Sequence, residues 1–207
     1  MSVPDPLRIE TLAALRERIG EPNPATRQKL FDRLDEQMRA YLARSVFCLL
    51  ATSDSAGNLE VSPKGDSAGF TLVEDERTLV VPDRKGNKLL FGLQNLLTDP
   101  RIGLIFLVPG TDETLRVNGR AELRVDPELL VRLSARGQPA LLAIRVHIER
   151  CFFHCARAFL RAELWNPETW PEPQRVSFGR QLAPRLGGDA KLAEAIDASI
   201  EKGRTDL

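Results

Sequence analysis

Apolar positions recur at helical spacing early in the chain and at strand spacing after it. Ile9, Leu12, Leu15 and Ile19 fall on one stripe, and the run stops at Gly20 with Pro22 and Pro24 beyond, which predicts a short amphipathic helix. Leu30, Leu34, Met38, Tyr41 and Leu42 continue the pattern and predict one longer helix from Pro24 to Arg44, running into FCLLAT. Phe47 to Thr52 reads as a compact apolar strand, SDSAGN as a turn, and Leu59 to Ser62 as an alternating strand, so the pair forms a β-hairpin. Thr78 to Val81 is a further strand, which PDRKGN ends before a helix from Lys88 to Leu97. Ile102 to Val108 is apolar at nearly every position, as expected of a strand buried on both faces.

From Leu115 to Val125 the pattern is strictly two-sided. Leu115, Val117, Ala121, Leu123 and Val125 face one way, and Arg116, Asn118, Arg120, Glu122 and Arg124 the other. Asp126-Pro127-Glu128 has the form of a helix start, with that helix ending near Gly137. Leu141 to Ile148 alternates as another strand. From Cys155 onward come a helical stretch, the segment LWNPETWPEP and a last helix around Asp189 to Lys202. Six or so hairpin-connected strands with an inserted helix and helical ends predict an α+β, mostly antiparallel, Greek-key-like barrel rather than a doubly wound sheet. No Gly-x-Gly-x-x-Gly follows a strand, which argues against a Rossmann dinucleotide site. A single domain is expected over 1–207, with N-terminal helices in 1–44, a barrel core in 45–150 and a helical extension in 151–207.

The charge balance narrows the function classes. Lys+Arg and Asp+Glu number 29 each, so the chain lacks the basic excess of a nucleic-acid or anionic-membrane binder, and any anion must be held by a local cluster. Three cysteines, Cys48, Cys151 and Cys155, are too few for a disulfide framework and lack the paired spacing of a structural zinc site. The polar, Pro-containing start and the absence of any stretch near the roughly 18 apolar residues of a membrane span predict a soluble, cytoplasmic protein.

One cluster stands out: Asp83-Arg84-Lys85-Gly86-Asn87-Lys88 puts three cations where a strand ends and a helix starts. Free N–H groups and the positive dipole end there favour an anion, and Arg and Lys add charge-assisted donors to phosphate. Asn87 is a candidate N-cap or further donor. The plain alternative is a solvated basic turn. Val61-Ser62-Pro63-Lys64-Gly65-Asp66 ends an early strand and offers Ser62 and Lys64 to a flat ring or an anion. Arg116, Asn118 and Arg120 offer donors in a row, or simply a water-facing strand face.

Order and spacing together resemble the pyridoxamine 5′-phosphate oxidase superfamily, most specifically from PDRKGNKLL through NLLTDPRIGLIF to ETLRVNGRAEL, with good cover over about residues 45 to 125. The flanking helices and HCARAFLRAELWNP are similar to a bacterial subgroup of FMN-binding, oxidase-related proteins. The resemblance implies an FMN-binding split β-barrel with flanking helices, a homodimer, and a flavin cleft at the subunit interface. The family's Ser-Arg-Lys phosphate triplet falls on Gly86-Asn87-Lys88, so Lys88 matches and Arg84 or Lys85 would supply the charge that Asn87 lacks. The family's early-strand Arg and Lys fall on Leu59 and Lys64, of which only the lysine is kept. The ring-contacting glutamine falls on Thr114, leaving Arg116 and Asn118 as the nearest polar groups. The cofactor-binding set implied is Ser62, Lys64, Arg84, Lys85, Asn87, Lys88, Arg116 and Asn118. The closing Arg-Leu-x-Pro motif of the oxidase is only echoed by Gln181-Leu182-Ala183-Pro184, which argues against pyridoxamine phosphate as substrate.

The leading expectation is an FMN-dependent oxidoreductase acting on an unknown small molecule, with a substrate or a nicotinamide reaching the open flavin face and no catalytic residue assigned. The alternatives are a flavin carrier without turnover, and a haem- or deazaflavin-binding relative, of which the haem reading would need His147 or His154 as axial ligand. Cys151-Phe-Phe-His154-Cys155 makes a poor tetrahedral set, so no metal is expected. Trp165 and Trp170 are candidates for interface or flavin-side aromatics, or for plain packing.

Overall fold

The computed structural model describes residues 7–86 and 88–204. Seven strands form one sheet: β1 (Phe47–Ser53), β2 (Leu59–Gly65), β3 (Leu72–Val73), β4 (Thr78–Asp83), β5 (Arg101–Leu107), β6 (Thr114–Arg124) and β7 (Leu142–His154). Their spatial order is β2-β1-β5-β6-β7-β4-β3, and every neighbouring pair is antiparallel. No ladder joins the edge strands β2 and β3, so the sheet is split rather than closed. It nevertheless curls far enough for Lys64 on β2 to form an ion pair with Asp83 at the end of β4.

One face of the curled sheet holds the core. Cys48 and Leu50 of β1, Ile102, Leu104 and Phe106 of β5, Leu115 and Val117 of β6 and Ile144, Val146 and Ile148 of β7 are buried together. Each large apolar side chain hidden this way stabilises the fold by about 1.5–3 kcal/mol. Helix α3 (Glu36–Arg44) adds Met38, Tyr41 and Leu42, and α4 (Phe91–Thr98) adds Leu96. Asp35 caps α3 by accepting from the Met38 amide at 2.8 Å, and the Tyr41 hydroxyl donates to the Glu113 carbonyl at 2.7 Å. On the opposite face, α5 (Pro127–Arg132) covers Val80 and Ala143 with Leu129.

The single helix expected over Pro24 to Arg44 is two, a four-residue α2 (Pro24–Arg27) and α3. The backbone between them is engaged elsewhere. Phe31 exchanges N–H···O bonds with Cys151 of β7 at 3.0 and 2.8 Å, and Leu34 donates to the Glu76 carbonyl at 2.7 Å. Leu30 consequently stays outside the core stripe that Leu34, Met38, Tyr41 and Leu42 do form. The first helix, α1 (Leu12–Ile19), starts at the capping residue Thr11 and buries none of its residues. Strand β5 is buried on one face only, with Gly103, Ile105 and Leu107 half-exposed on the other. The expected strand ending at Ile148 continues to His154, which puts Cys151 in the core.

Beyond β7 the chain forms α6 (Arg157–Ala162), a 3-10 turn at Pro167–Thr169, α7 (Phe178–Leu182), a second 3-10 turn at Ala183–Leu186 and α8 (Ala190–Gly203). Asp197 of α8 accepts from the Gly179 amide at 2.7 Å and from the Ser177 hydroxyl, which ties α7 to α8. No described helix is long and apolar enough to cross a membrane.

Candidate functional site

The site grows from an inversion on β2. In Leu59-Glu60-Val61-Ser62-Pro63-Lys64-Gly65 the apolar Leu59 and Val61 point outward, 80% and 58% exposed, while Glu60, Ser62 and Lys64 occupy the core side. Their partners across β1 are Thr52, Leu50 and Cys48. The start of α4 lies close over this pair of strands, because a Cβ on Gly92 would sit 3.5 Å from the Thr52 Oγ1 and 3.6 Å from the Ser62 Oγ. A cleft of about 330 Å³ remains between β2, the end of β4 and the segment leading into α4. Its polar lining includes Glu60, Ser62, Lys64, Asp83, Arg84, Lys85 and Lys88, and its apolar lining Leu50, Leu89, Phe91 and Leu141.

Lys64 is positioned by β1 on one side and by the Asp83 carboxylate on the other, with the two side chains only 19% and 14% exposed. Arg84, one residue on, is held differently. Its Nε donates to Asp66 at 2.9 Å and its Nη2 to the Leu133 carbonyl at 2.6 Å. Asp66, with its side chain 2% exposed, also takes Arg136 at 3.0 Å. The Arg84 Nη1 is buried and has no partner. A buried guanidinium donor left unmatched is unfavourable, which makes it a place for an anion.

The helix expected from Lys88 starts at Phe91 instead. Lys88 and Leu90 take left-handed backbone with φ of 61° and 60°, conformations that cost free energy in non-glycine residues and prevent a helical start before Phe91. Among the described residues no side chain caps α4, and its first turn adjoins the Lys88 loop. Asn87, expected as a cap or donor, lies outside the described residues.

Ser62, Lys64, Arg84, Lys85 and Lys88 thus line one cleft. Arg116 and Asn118 do not. They lie on the outward face of β6, opposite Ile105 and Gly103 of β5, and β6 stands three places from β2, roughly 14 Å at ordinary strand spacing. The Arg116 Nε is buried there without a partner. The sequence reading missed Glu60, whose signal was its shared parity with Ser62 and Lys64, and the ion-pairing role of Asp83, which needs the curl of the sheet.

Burial pushes the Cys48 thiol up to about 12, against a small opposing effect of Lys64, so it is not a thiolate nucleophile. His154 is held below its usual value by burial, with Arg116 and Lys29 adding to the effect. Neither histidine lines the cleft. The indole N–H of Trp165 goes to the Thr111 carbonyl and that of Trp170 to the Leu164 carbonyl, both at 3.0 Å and both away from the cleft. Among the described residues no group of three His, Cys, Asp or Glu is arranged to hold a metal.

A family model described as pyridoxamine 5′-phosphate oxidase matches residues 34–155, more than half of the chain. None of the curated proteins matches it. Among solved structures, HupZ of Group A Streptococcus is similar at 17% identity, over 58% of this chain and 93% of that one, with a TM-score of 0.47. General stress protein 26 of Bacillus anthracis is 12% identical over 57% and 91% of the two chains, TM-score 0.44. An FMN-binding protein of Syntrophomonas wolfei subsp. wolfei is 12% identical over 70% and 97%, TM-score 0.44.

Proposed function

The chain belongs to the pyridoxamine 5′-phosphate oxidase family, and from that premise we propose that it is a flavoprotein holding FMN in the cleft between β2 and the 84–93 segment, and an oxidoreductase. The observation that carries this reading is the composition of that cleft: Lys64, Lys85 and Lys88 converge on it beside apolar Leu89 and Phe91. A dianionic phosphate at one end of a flat aromatic ring calls for that combination. Lys85, Lys88 and the unmatched Arg84 Nη1 hold the phosphate. Lys64, aimed by its ion pair with Asp83, donates to the polar edge of the ring, and Ser62 approaches the ring as a small donor. FMN supplies the electron transfer when bound, and the protein binds it, orients it and sets its electrostatics. The substrate and any nicotinamide donor reach the ring from the open side of the cleft.

Arg116 and Asn118 join this reading only through a second copy of the chain. The outer sheet face carries half-exposed Leu49, Ile105 and Leu107 next to exposed Leu59 and Val61, an apolar surface that a homodimer would cover. The buried, unpartnered Arg116 Nε would then meet the neighbouring subunit's cleft.

The experiment is FMN titration of the purified protein followed by flavin fluorescence, run alongside riboflavin. Tight binding of FMN, weaker binding of riboflavin and loss of that preference in Lys88→Ala is the expected result. No binding of FMN, or a preference untouched by Lys88→Ala, overturns the assignment. Sedimentation of Val61→Lys in the same preparations is expected to show a monomer where the unmodified chain is a dimer, and an unmodified chain that is already monomeric removes the second copy from the reading.

A further inference from the structure

A second cavity, of about 430 Å³, lies behind Arg84, between α3, the loop from Asp66 into β3 and the end of α5. The geometry points to a binding site there for a small phosphate monoester, distinct from the cleft between β2 and the 84–93 segment. Arg39 of α3 and Arg132 of α5 stand in its wall, beside Arg84 and a single carboxylate, Asp66, which are paired with each other. That carboxylate is already engaged: its Oδ2 takes the Arg84 Nε at 2.9 Å, and its Oδ1 takes Arg136 at 3.0 Å and the Ser67 amide at 2.8 Å. Arg39 and Arg132 have no carboxylate partner among the described residues. The wall therefore carries an excess of positive charge that the chain does not neutralise, in side chains suited to fork onto phosphate oxygens.

The second, independent observation is Thr71. It lines the same cavity, is 5% exposed, and its Oγ1 is buried with no hydrogen-bond partner. Buried hydroxyls are nearly always matched, so an unmatched one on a residue that lines a cationic cavity is a donor that a ligand oxygen would complete. The size fits more than a bare ion. Cavities of roughly 300–1,000 Å³ take whole small molecules, and Phe70, Leu72 and Leu133 supply an apolar wall for the organic part of a phosphate ester.

The site stands whether or not the neighbouring cleft takes a flavin, and its test is built to keep the two apart. Phenyl phosphate and inorganic phosphate are titrated into the full chain, followed by phosphorus NMR at constant ionic strength in chloride. Saturable binding that survives Lys88→Ala is expected, tighter for the ester. It should weaken about tenfold or more in Thr71→Val and in Arg39→Ala/Arg132→Ala, the loss expected when charge-assisted hydrogen bonds are removed. The double arginine variant alters exposed side chains and keeps the test decisive if Thr71→Val folds poorly. Absence of saturable binding, or binding abolished by Lys88→Ala and indifferent to the arginine variant, overturns the proposal.

Discussion

Lys64 on β2 and Asp83 on β4 form an ion pair although their strands stand five places apart in the sheet order. The pair spans the gap that keeps the barrel open. Both side chains are mostly buried, so removing one charge leaves the other poorly solvated, a situation that costs up to about 3–5 kcal/mol when burial is complete and less here. Lys64→Met is therefore expected to lower the melting temperature of the flavin-free chain and to raise the Kd for FMN by about tenfold or more. Calorimetry and fluorescence titration check the two effects separately. An unchanged Kd in a folded Lys64→Met variant would take Lys64 out of the cofactor site.

Asp99 offers a test of stability against pH. It accepts from the Arg101 amide at 3.0 Å, from the Arg101 Nε at 2.8 Å and from the Ser53 hydroxyl at 3.2 Å, pinning the end of α4 to the start of β5 and the end of β1. The Arg101 guanidinium, then the Arg101 amide, hold its carboxyl well below the usual 3.8, with burial opposing and Ser53 assisting. A depressed folded-state pKa stabilises the fold above the ordinary carboxylate value, and that contribution disappears as pH falls through the lowered one. Asp99→Asn should therefore melt below the unmodified chain at pH 7, and the gap should narrow as the medium is acidified below the usual carboxylate range. A gap that stays constant into strong acid contradicts the assignment to this carboxylate.

Gly119 sits at the register shift between β6 and β7, where an added Cβ would lie 2.0 Å from the His147 carbonyl oxygen. The obstacle is backbone in the middle of the sheet and cannot swing aside. Gly119→Ala is expected to destabilise the fold by about 1–3 kcal/mol or more, the ordinary cost of forced overpacking. Urea denaturation measures it, and a near-neutral result would mean that the bulge can migrate.

Much of this architecture is legible in the residues because one rule dominates it. In β6 the alternation of Leu115, Val117, Ala121 and Leu123 with polar and charged neighbours reports the two faces directly, since β6 is a central strand with core on one side. The same rule misleads on β2, where the exposed Leu59 and Val61 are the apolar residues and the polar ones face inward. The long N-terminal helix failed because a backbone bridge from Phe31 to Cys151 is a non-local bond that no periodicity contains. The loop cations Arg84, Lys85 and Lys88 were legible as a group from charge density alone. The engagement of Arg84 with Asp66 and Leu133 was not, because those partners lie 18 and 49 residues away in the chain.

The inward polar residues of β2 have a consequence for how the molecule holds together. A strand that offers its own core a carboxylate, a hydroxyl and an ammonium group hides little apolar surface, so β2 depends on its ladder with β1 and on whatever occupies the space beside it. Local opening is cheapest where burial is poorest. The margin of the sheet that forms the pocket is then also the part most readily released from it, and a molecule seated against Glu60, Ser62 and Lys64 would stabilise that margin by mass action. Occupancy and completion of the fold become one equilibrium along a single seven-residue strand.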